Sequence, residues 1–258
     1  IASPNETHYE YAKQALESGK HVLCEKPVAF TKREAEELYG YAKEHQIVLM
    51  EAVKTAYCPG FGQLLNVAKS GRIGEIRDVE ACFTRLATMD SRERSDASYG
   101  GSFLEFSSYT LLPAIKLLGT EYKDVHFDIL FDDKGVDVYT KVSLTYDDAM
   151  ALAKNGVAVK SEGQLVIAGT NGYILAPSPW WLTRRFEVHY EDPGRGEVFE
   201  PTFQGEGFRY EISDFVSKIN GVDRNGYKLK AEEAIAMAGI TEAFMREKDR
   251  LLHGKSRY

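Results

Sequence analysis

The first fifty residues alternate between segments with a helical hydrophobic period and short, continuous apolar runs. Apolar side chains recur every three or four positions over 9–16 and again over 35–42, a spacing that gathers them on one face of a helix. Two apolar runs of strand length, 21–24 and 47–50, follow these segments. Helices that alternate with strands at this pitch are typical of βαβ units, so we predict a parallel sheet.

Two capping-box patterns mark where these helices begin. Thr7 precedes Glu10 by three positions, and Thr31 precedes Glu34 by the same spacing. In a capping box, the hydroxyl and the carboxylate each accept a hydrogen bond from a backbone N–H at the helix start. We interpret residues 1–3, which end at the turn before the first helix, as the end of a preceding strand.

A different pattern begins after about residue 55. A helical period over 61–68 leads to strand-like alternation from Ile76, and a second helical period covers 104–115. Strand patterns follow at 125–131, 142–146, 151–159, 164–168, 173–175 and 186–190. Two helical patterns, at 207–220 and 231–252, come last.

The turns between the later strand patterns indicate how these strands pair. The sequences at 132–135 and 170–172 are tight-turn sequences that favour antiparallel hairpins. We therefore predict an α/β plus α+β protein. Residues 1–55 form the C-terminal portion of a Rossmann-like parallel sheet, and residues 56–258 form an open, mostly antiparallel sheet covered on one face by helices.

The composition of the 258-residue chain is that of a globular protein without a basic surface. Its residues are 43% hydrophobic and 28% charged, and its net charge is -7, which predicts no binding to nucleic acid or to an anionic membrane. No apolar run approaches the roughly 20 residues that span a bilayer. Three scattered cysteines and six histidines without ligand-like spacing predict no disulfide framework and no metal site. We expect a cytoplasmic protein.

Three groups of residues carry candidate chemistry, and the first lies at the turn before the first helix. Ligands in open α/β sheets bind at the carboxyl ends of strands, and the N–H groups of a helix start attract anions. Ser3, Pro4, Asn5 and His8 occupy such a position. A second interpretation of this group is that Asn5 or Thr7 only caps the helix.

The second group, Glu25, Lys26 and Pro27, follows the end of a predicted strand. A lysine between a carboxylate and a rigid proline, at the mouth of a parallel sheet, is a candidate acid/base or substrate-positioning group, since burial lowers the pKa of an ammonium. Taken alone, the same tripeptide also fits a solvated loop.

The third group lies in the sequence GGSFLEFSSY, residues 100–109. Two glycines permit a close backbone approach. Glu105 and Tyr109 are four residues apart, so a helix places them on one face. A carboxylate and a phenol on one face can orient a hydroxylated substrate and transfer its proton. An ordinary helix pair without a part in catalysis is the alternative.

These groups occur together in a specific arrangement. The segment SPNETHYEYAKQALESGKHVLCEKP is followed by MEAV and then by GGSFLEFSSY. In this combination the chain resembles the Gfo/Idh/MocA family of NAD(P)-dependent oxidoreductases. The resemblance extends over essentially the whole chain and is strongest over residues 1–53.

The resemblance implies a reaction and a site. Family members transfer a hydride between NAD or NADP and a hydroxyl-bearing carbon of a sugar, cyclitol or related polyol. By this resemblance, Lys26 and Tyr109 are the catalytic residues, and both bind substrate together with Glu105. The residues implied to line the cofactor cleft are Ser3, Pro4, Asn5, His8, Glu25, Lys26 and Pro27.

The chain departs from the family pattern at some positions. Glu105 stands where Asp is usual, Ser107 stands where Gly is usual, and Cys58 lies where relatives have His before Pro. An extra methylene moves a carboxylate by a distance that matters to catalysis. These departures support a second hypothesis, a non-catalytic family member that binds a dinucleotide or a sugar and retains the scaffold and the oligomer interface.

The glycine-rich turn of the family is missing from the sequence shown. No GxGxxG opens a helix after a strand, although this turn allows the backbone to approach the pyrophosphate. We expect the phosphate-binding part of the Rossmann domain to lie upstream in a longer chain. We also expect the residues shown to be inactive alone.

Two further expectations concern surfaces. Apolar residues such as Phe131, Tyr139 and Val157 lie on more than one face of the predicted strands, so we expect the open sheet face to form a homodimer or homotetramer. Trp180 and Trp181 follow a proline in a loop. They either line a site for a sugar-like substrate or pack within the domain or an interface.

Overall fold

Two sheets organise the chain in the computed structural model, which describes residues 1–222 and 228–254. The smaller sheet pairs β1 (Val22–Glu25) with β2 (Leu49–Ala52) in parallel. This pairing confirms the predicted βαβ arrangement. Ile1 runs along the other side of β1, since its carbonyl oxygen accepts a hydrogen bond from the last residue of that strand.

The second helix begins as its sequence predicts. In α2 (Lys32–Glu44), the Glu34 N–H donates to the Thr31 hydroxyl at 3.2 Å, and the Thr31 N–H donates to the Glu34 carboxylate at 3.1 Å. Both halves of the capping box are present. The prediction from spacing alone is confirmed.

The first helix begins differently. A 3₁₀ turn at Asn5–Thr7 precedes α1 (His8–Glu17), and no side chain caps this helix. The Thr7 hydroxyl lies 2.7 Å from both the Ser3 hydroxyl and the Pro4 carbonyl oxygen. The capping box predicted at Thr7 is therefore wrong, because the hydroxyl bonds backward into the turn.

The larger sheet confirms the predicted open, mostly antiparallel arrangement. Within the described residues it has eight strands in the order β10-β9-β8-β7-β3-β6-β5-β4, and only the β3–β6 pair is parallel. Its strands are β3 (Ile76–Thr84), β4 (Asp124–Phe131), β5 (Asp137–Thr145), β6 (Met150–Gly156), β7 (Leu165–Gly169), β8 (Tyr173–Ala176), β9 (Phe186–His189) and β10 (Glu197–Phe199).

Helices cover one face of this sheet and join it to the first region. They are α3 (Lys54–Tyr57), α4 (Pro59–Lys69), α5 (Arg92–Ser95), α6 (Ser102–Leu118), α7 (Phe208–Ile219) and α8 (Ala231–His253). The helix α6 lies on β3, β5 and β6, and α8 packs against both α6 and α2. The four-residue helices α3 and α5 are too short to show a hydrophobic period. A domain boundary near residue 55 stays a prediction.

Across the described ranges, no helix combines the length and the apolar character that a membrane crossing needs.

Candidate functional site

Lys26 lies directly after β1, and its ammonium group reaches α6. Its Nζ donates to the Glu105 carbonyl oxygen at 2.6 Å and lies 3.3 Å from Glu105 Oε2. It also lies 5.8 Å from the centre of the Tyr109 ring. The lysine side chain is only 12% exposed, which contradicts the solvated-loop alternative. Two groups that are far apart in the sequence therefore meet at one ammonium group.

The start of α6 is held by a buried carboxylate. Asp137 accepts hydrogen bonds from the Phe103 N–H at 2.8 Å and the Ser102 hydroxyl at 3.1 Å, and its other oxygen lies 2.8 Å from Lys248 Nζ. Gly101 has a φ of +92°, and a Cβ there would lie 2.0 Å from Asp137. The close approach predicted for the glycines is therefore an approach to this carboxylate, which places the helix that carries Glu105.

The Glu105 carboxylate lies between two cations. Lys26 faces one oxygen, and Arg85 lies 3.5 Å from the other while it also pairs with Glu93 at 2.7 Å. An ion pair on each oxygen orients the carboxylate. Sequence reasoning missed Arg85, although its position directly after β3 was a signal, because the ends of strands are common places for site residues.

Tyr109 packs among aromatic rings beside Lys26. Its ring centre lies 5.4 Å from that of Phe83, which stacks on Trp181 at 3.6 Å. Burial raises the pKa of the Tyr109 phenol well above its ordinary value, and the negative charge of Glu25 adds to this effect. The phenol therefore stays protonated near neutral pH and keeps a proton that a strongly basic alkoxide can take.

The two tryptophans occupy different places. Trp180 is fully buried, and its indole N–H donates to the Cys82 carbonyl oxygen at 2.8 Å. It belongs to the core, so the substrate-site alternative is wrong for this residue. Trp181 is partly exposed and lies beside the ring that contacts Tyr109.

His8 is buried, although its sequence position predicted a side chain facing the cofactor cleft. It is 1% exposed, and its ring nitrogens lie 2.8 Å from the Pro27 carbonyl oxygen and 3.0 Å from the Ser3 carbonyl oxygen. The prediction of a cleft-facing His8 is corrected here. A neutral ring has one N–H to donate, and whichever nitrogen carries it, the ring packs between the Ser3 turn and the loop that carries Lys26.

Asn5 does not cap the first helix. Its amide nitrogen donates to the Tyr99 carbonyl oxygen at 3.1 Å, and its amide oxygen accepts a hydrogen bond from Arg92 at 2.7 Å. These bonds connect the first region to the loop before α6. They border a cavity of about 190 Å³ whose lining includes Asn5, Tyr99 and Glu105.

This cavity indicates which part of a dinucleotide the described residues can hold. A volume of about 190 Å³ is below the roughly 300 Å³ at which sites for drug-sized ligands begin, so it suits one ring system rather than a whole dinucleotide. Asn5 is one of its lining residues, and Lys26 contacts its Glu105 wall. These residues fit the nicotinamide end of the cofactor.

Glu211, on α7, is a candidate site residue that sequence reasoning missed. Its side chain is buried, and its Oε2 has no hydrogen-bond partner among residues 1–222 and 228–254. Burial raises the pKa of this carboxyl to about 7, with a further contribution from Glu25, while Lys54 lowers it. The segment GEGFRYEISDF contained this carboxylate, but a helical period does not show which polar residue is buried.

The three cysteines do not provide a reactive thiol or a metal ligand set. Cys24, Cys58 and Cys82 are buried free thiols. Burial raises the pKa of Cys58 to about 12, so this thiol stays protonated and is a poor nucleophile. Within the part of the chain that the structure describes, no three His, Cys, Asp or Glu residues are grouped as a metal site requires.

Two family models match the chain and together cover most of it. Residues 1–53 match the model of the GFO/IDH/MocA oxidoreductase family with its NAD-binding Rossmann fold, and residues 61–175 match the GFO/IDH/MocA C-terminal domain. The chain belongs to the Gfo/Idh/MocA oxidoreductase family. The resemblance seen in the sequence is thereby confirmed.

Individual relatives agree with this assignment. The chain is 32% identical to the scyllo-inositol 2-dehydrogenase (NADP(+)) IolU of Bacillus subtilis, over 97% of this chain and 76% of the relative. It is 30% identical to the dTDP-3,4-didehydro-2,6-dideoxy-α-D-glucose 3-reductase of Actinomadura kijaniata, over 77% of this chain and 61% of the relative. The chain thus spans only part of the length of these relatives. Nothing in the comparisons bears out the expectation that the residues shown are inactive alone.

Solved structures show the same fold. The 3-ketoreductase KijD10 of Actinomadura kijaniata, in complex with TDP-benzene and NADP, superposes with a TM-score of 0.77 and 24% identity over 94% of this chain and 75% of its own. The UDP-N-acetylglucosamine 3-dehydrogenase GnnA of Acidithiobacillus ferrooxidans gives a TM-score of 0.76 and 20% identity over 95% of this chain and 78% of its own. Both likenesses support the predicted fold class.

Proposed function

We propose that this protein transfers a hydride between NAD(P) and a hydroxyl-bearing carbon of a sugar, cyclitol or related polyol. The observation that carries the proposal is that Glu105 and Tyr109 both lie beside the ammonium group of Lys26. The relatives support the same class of reaction, since one is named as an NADP(+)-dependent inositol dehydrogenase and another as a sugar 3-reductase.

In this proposal each side chain has its own part. An ammonium group has three N–H donors, and two of those on Lys26 face Glu105. The third is available for the reacting oxygen of the substrate, where its charge stabilises a developing alkoxide. Glu105 orients the ammonium group, and the Tyr109 phenol carries the proton that the oxygen takes up.

The proton and the hydride balance in both directions. A nicotinamide held beside Lys26 would supply a hydride in reduction and accept one in oxidation. In reduction, the carbonyl oxygen becomes an alkoxide and takes the phenolic proton of Tyr109. Oxidation is the reverse of this step: it starts from the Tyr109 phenolate, which takes the hydroxyl proton as the carbonyl forms. Ser3, Pro4, Asn5, Glu25 and Pro27 shape the loops that would hold the nicotinamide end beside Lys26.

The substitution Lys26→Met tests this assignment in the intact protein. We expect turnover of NAD(P)H with a polyol or keto-sugar panel to fall by about 10³-fold or more, since the variant loses both charge stabilisation and positioning. The measurement is nicotinamide absorbance under saturating cofactor. Lys20→Met, at an exposed lysine before β1, is the matched control.

Two outcomes would contradict the proposal. Unchanged turnover in Lys26→Met would remove the role of this lysine. Cofactor binding by the wild-type protein, without redox turnover on any polyol or keto-sugar of the panel, would favour the non-catalytic hypothesis instead.

We also propose that the open face of the large sheet forms a homodimer or homotetramer. Leu130, Met150 and Tyr173 are exposed on three of its strands, at 54%, 62% and 40% of their surface, and large apolar side chains on an open sheet face favour a partner. Light scattering at micromolar concentration measures the mass directly, and a monomer would refute this proposal. The free cysteines support our proposal of a cytoplasmic compartment.

A further inference from the structure

Glu211 is a buried carboxylate for which the described residues supply no complete set of partners. Its side chain is 4% exposed, and Oε2 has no hydrogen bond in the ranges that the structure describes. Burying an unpaired carboxylate costs free energy. A buried polar group without a partner therefore needs an explanation, and one explanation is that it hydrogen-bonds to a ligand.

The surroundings of Glu211 connect it to the Lys26 site. The negative charge of Glu25 raises the pKa of both Glu211 and Tyr109, and Glu211 itself also raises the pKa of Tyr109. Electrostatic effects of this kind weaken with distance. The position of Glu211 follows from α7, whose first turn meets Lys54: a Cβ on Gly207, the residue before this helix, would lie 3.6 Å from Lys54 Cδ.

Lys54 brings a second charge to the same place. It follows β2 just as Lys26 follows β1, and the two strands are parallel neighbours, so both lysines lie at the same edge of the sheet. Its Nζ lies 4.9 Å from the centre of the Phe208 ring, in the first turn of the helix that carries Glu211. The helices α3 and α7 are in contact.

We propose that Glu211 and Lys54 form a second substrate subsite, which binds hydroxyl groups of the polyol next to the reacting carbon. The carboxylate accepts a hydrogen bond from one hydroxyl, and the ammonium group donates one to a neighbouring hydroxyl oxygen. A vicinal diol presents both groups at once. The inference rests on the proposed function and narrows its substrate class to polyols with adjacent hydroxyls.

The test compares Glu211→Gln and Lys54→Met with wild type in the intact protein under saturating NADP(H). The substrate is whichever polyol of a cyclitol and hexose panel the wild type turns over. We expect KM to rise by about tenfold to a hundredfold in Glu211→Gln, as loss of a charged hydrogen bond implies, while kcat stays within about threefold. Thermal stability should not fall, because glutamine removes a buried charge.

Discrimination between the polyol and a deoxy analogue is a second measurement. Wild type should discriminate against a deoxy analogue that lacks the adjacent hydroxyl, because the analogue leaves buried polar groups unpaired, and Glu211→Gln should lose most of that discrimination. Glu206→Gln, at an exposed carboxylate two positions before α7, is the matched control and should change neither KM nor kcat.

The outcomes separate this inference from the proposed function. The subsite is overturned if KM is unchanged in both variants, or if kcat falls instead of KM rising. Wild-type turnover would still support the proposed reaction in that case. If Glu211→Gln does not fold, Lys54→Met alone decides by the same split between KM and kcat. If wild type turns over no polyol of the panel, the proposed function fails, and the subsite fails with it.

Discussion

The two loops that meet at the site are held in different ways. The loop that carries Lys26 is held mainly by single hydrogen bonds, among them one between the His8 ring and the Pro27 carbonyl oxygen and the one that caps α2 at Thr31. The turn before α6 is held by Asp137, which accepts a hydrogen bond from the Phe103 N–H, 34 positions earlier in the chain. Asp137 is in turn paired with Lys248, 111 positions later. One loop depends on single hydrogen bonds, and the other depends on a buried ion pair.

This difference predicts how each loop responds to mutation. A single hydrogen bond contributes about 0.5–1.5 kcal/mol to stability, because water competes for the same groups. Breaking a buried ion pair leaves a charge without a partner, which costs about 3–5 kcal/mol. The α6 side of the site should therefore be the more sensitive of the two.

Lys248→Met should give the largest loss of stability. Asp137 and Lys248 are 0% and 4% exposed, so the variant leaves a buried carboxylate without its cation, at a cost of about 3–5 kcal/mol in the free energy of unfolding. Chemical denaturation measures this change. Arg250→Met, at an exposed pair on the same helix, should cost less than about 1 kcal/mol. A similar small loss in both variants would show that the ion pair does not hold α6.

Glu51→Gln should change the pH dependence of stability on the Lys26 side. Burial raises the pKa of Glu51 to about 7, and its Oε1 accepts a hydrogen bond from the Val28 N–H at 3.2 Å. A raised carboxyl pKa means that its contribution to stability is complete below about pH 4.5 and is lost as the pH rises through 7.

The amide in Glu51→Gln keeps the acceptor and does not ionise. We expect the variant to exceed wild type by about 1–3 kcal/mol in the free energy of unfolding at pH 8, and the gap should narrow by pH 5. Denaturation at several pH values measures it. Glu36→Gln, at an exposed position on α2, is the control and should show no such trend. If the difference between Glu51→Gln and wild type did not change with pH, the raised pKa of Glu51 would be contradicted.

Thr31→Ala should give the smallest effect. The variant removes the hydroxyl that caps α2, at a cost of about 1 kcal/mol, without leaving a buried charge. Thr31→Ser keeps the hydroxyl and should recover most of the loss in thermal or chemical denaturation. A cost as large as that of Lys248→Met would remove the contrast between the two loops.

Much of the fold was predictable from local signals. Hydrophobic period and short apolar runs identified the helices around Leu38 and Leu111 and the strands of both sheets except β10, because the apolar side chains of each element pack against a core. The capping box at Thr31 was confirmed, and the one at Thr7 was wrong. A hydroxyl can bond to either side of a turn, and the spacing alone does not decide which.

The site was predictable only in part. Lys26, Glu105 and Tyr109 were named in the sequence, and the structure brings them together, while their roles remain proposals. Arg85 and Glu211 were missed, because burial and proximity depend on residues far away in the chain.

The sequence by itself determined the order and type of the main elements and the family, because periodicity, turns and short motifs are local. The tertiary structure decided which side chains meet. It buried His8 between two backbone carbonyls, turned Asn5 toward the α6 loop, and placed Asp137 behind Gly101. These outcomes depend on contacts between distant residues, and their free energies come from burial that no single segment contains.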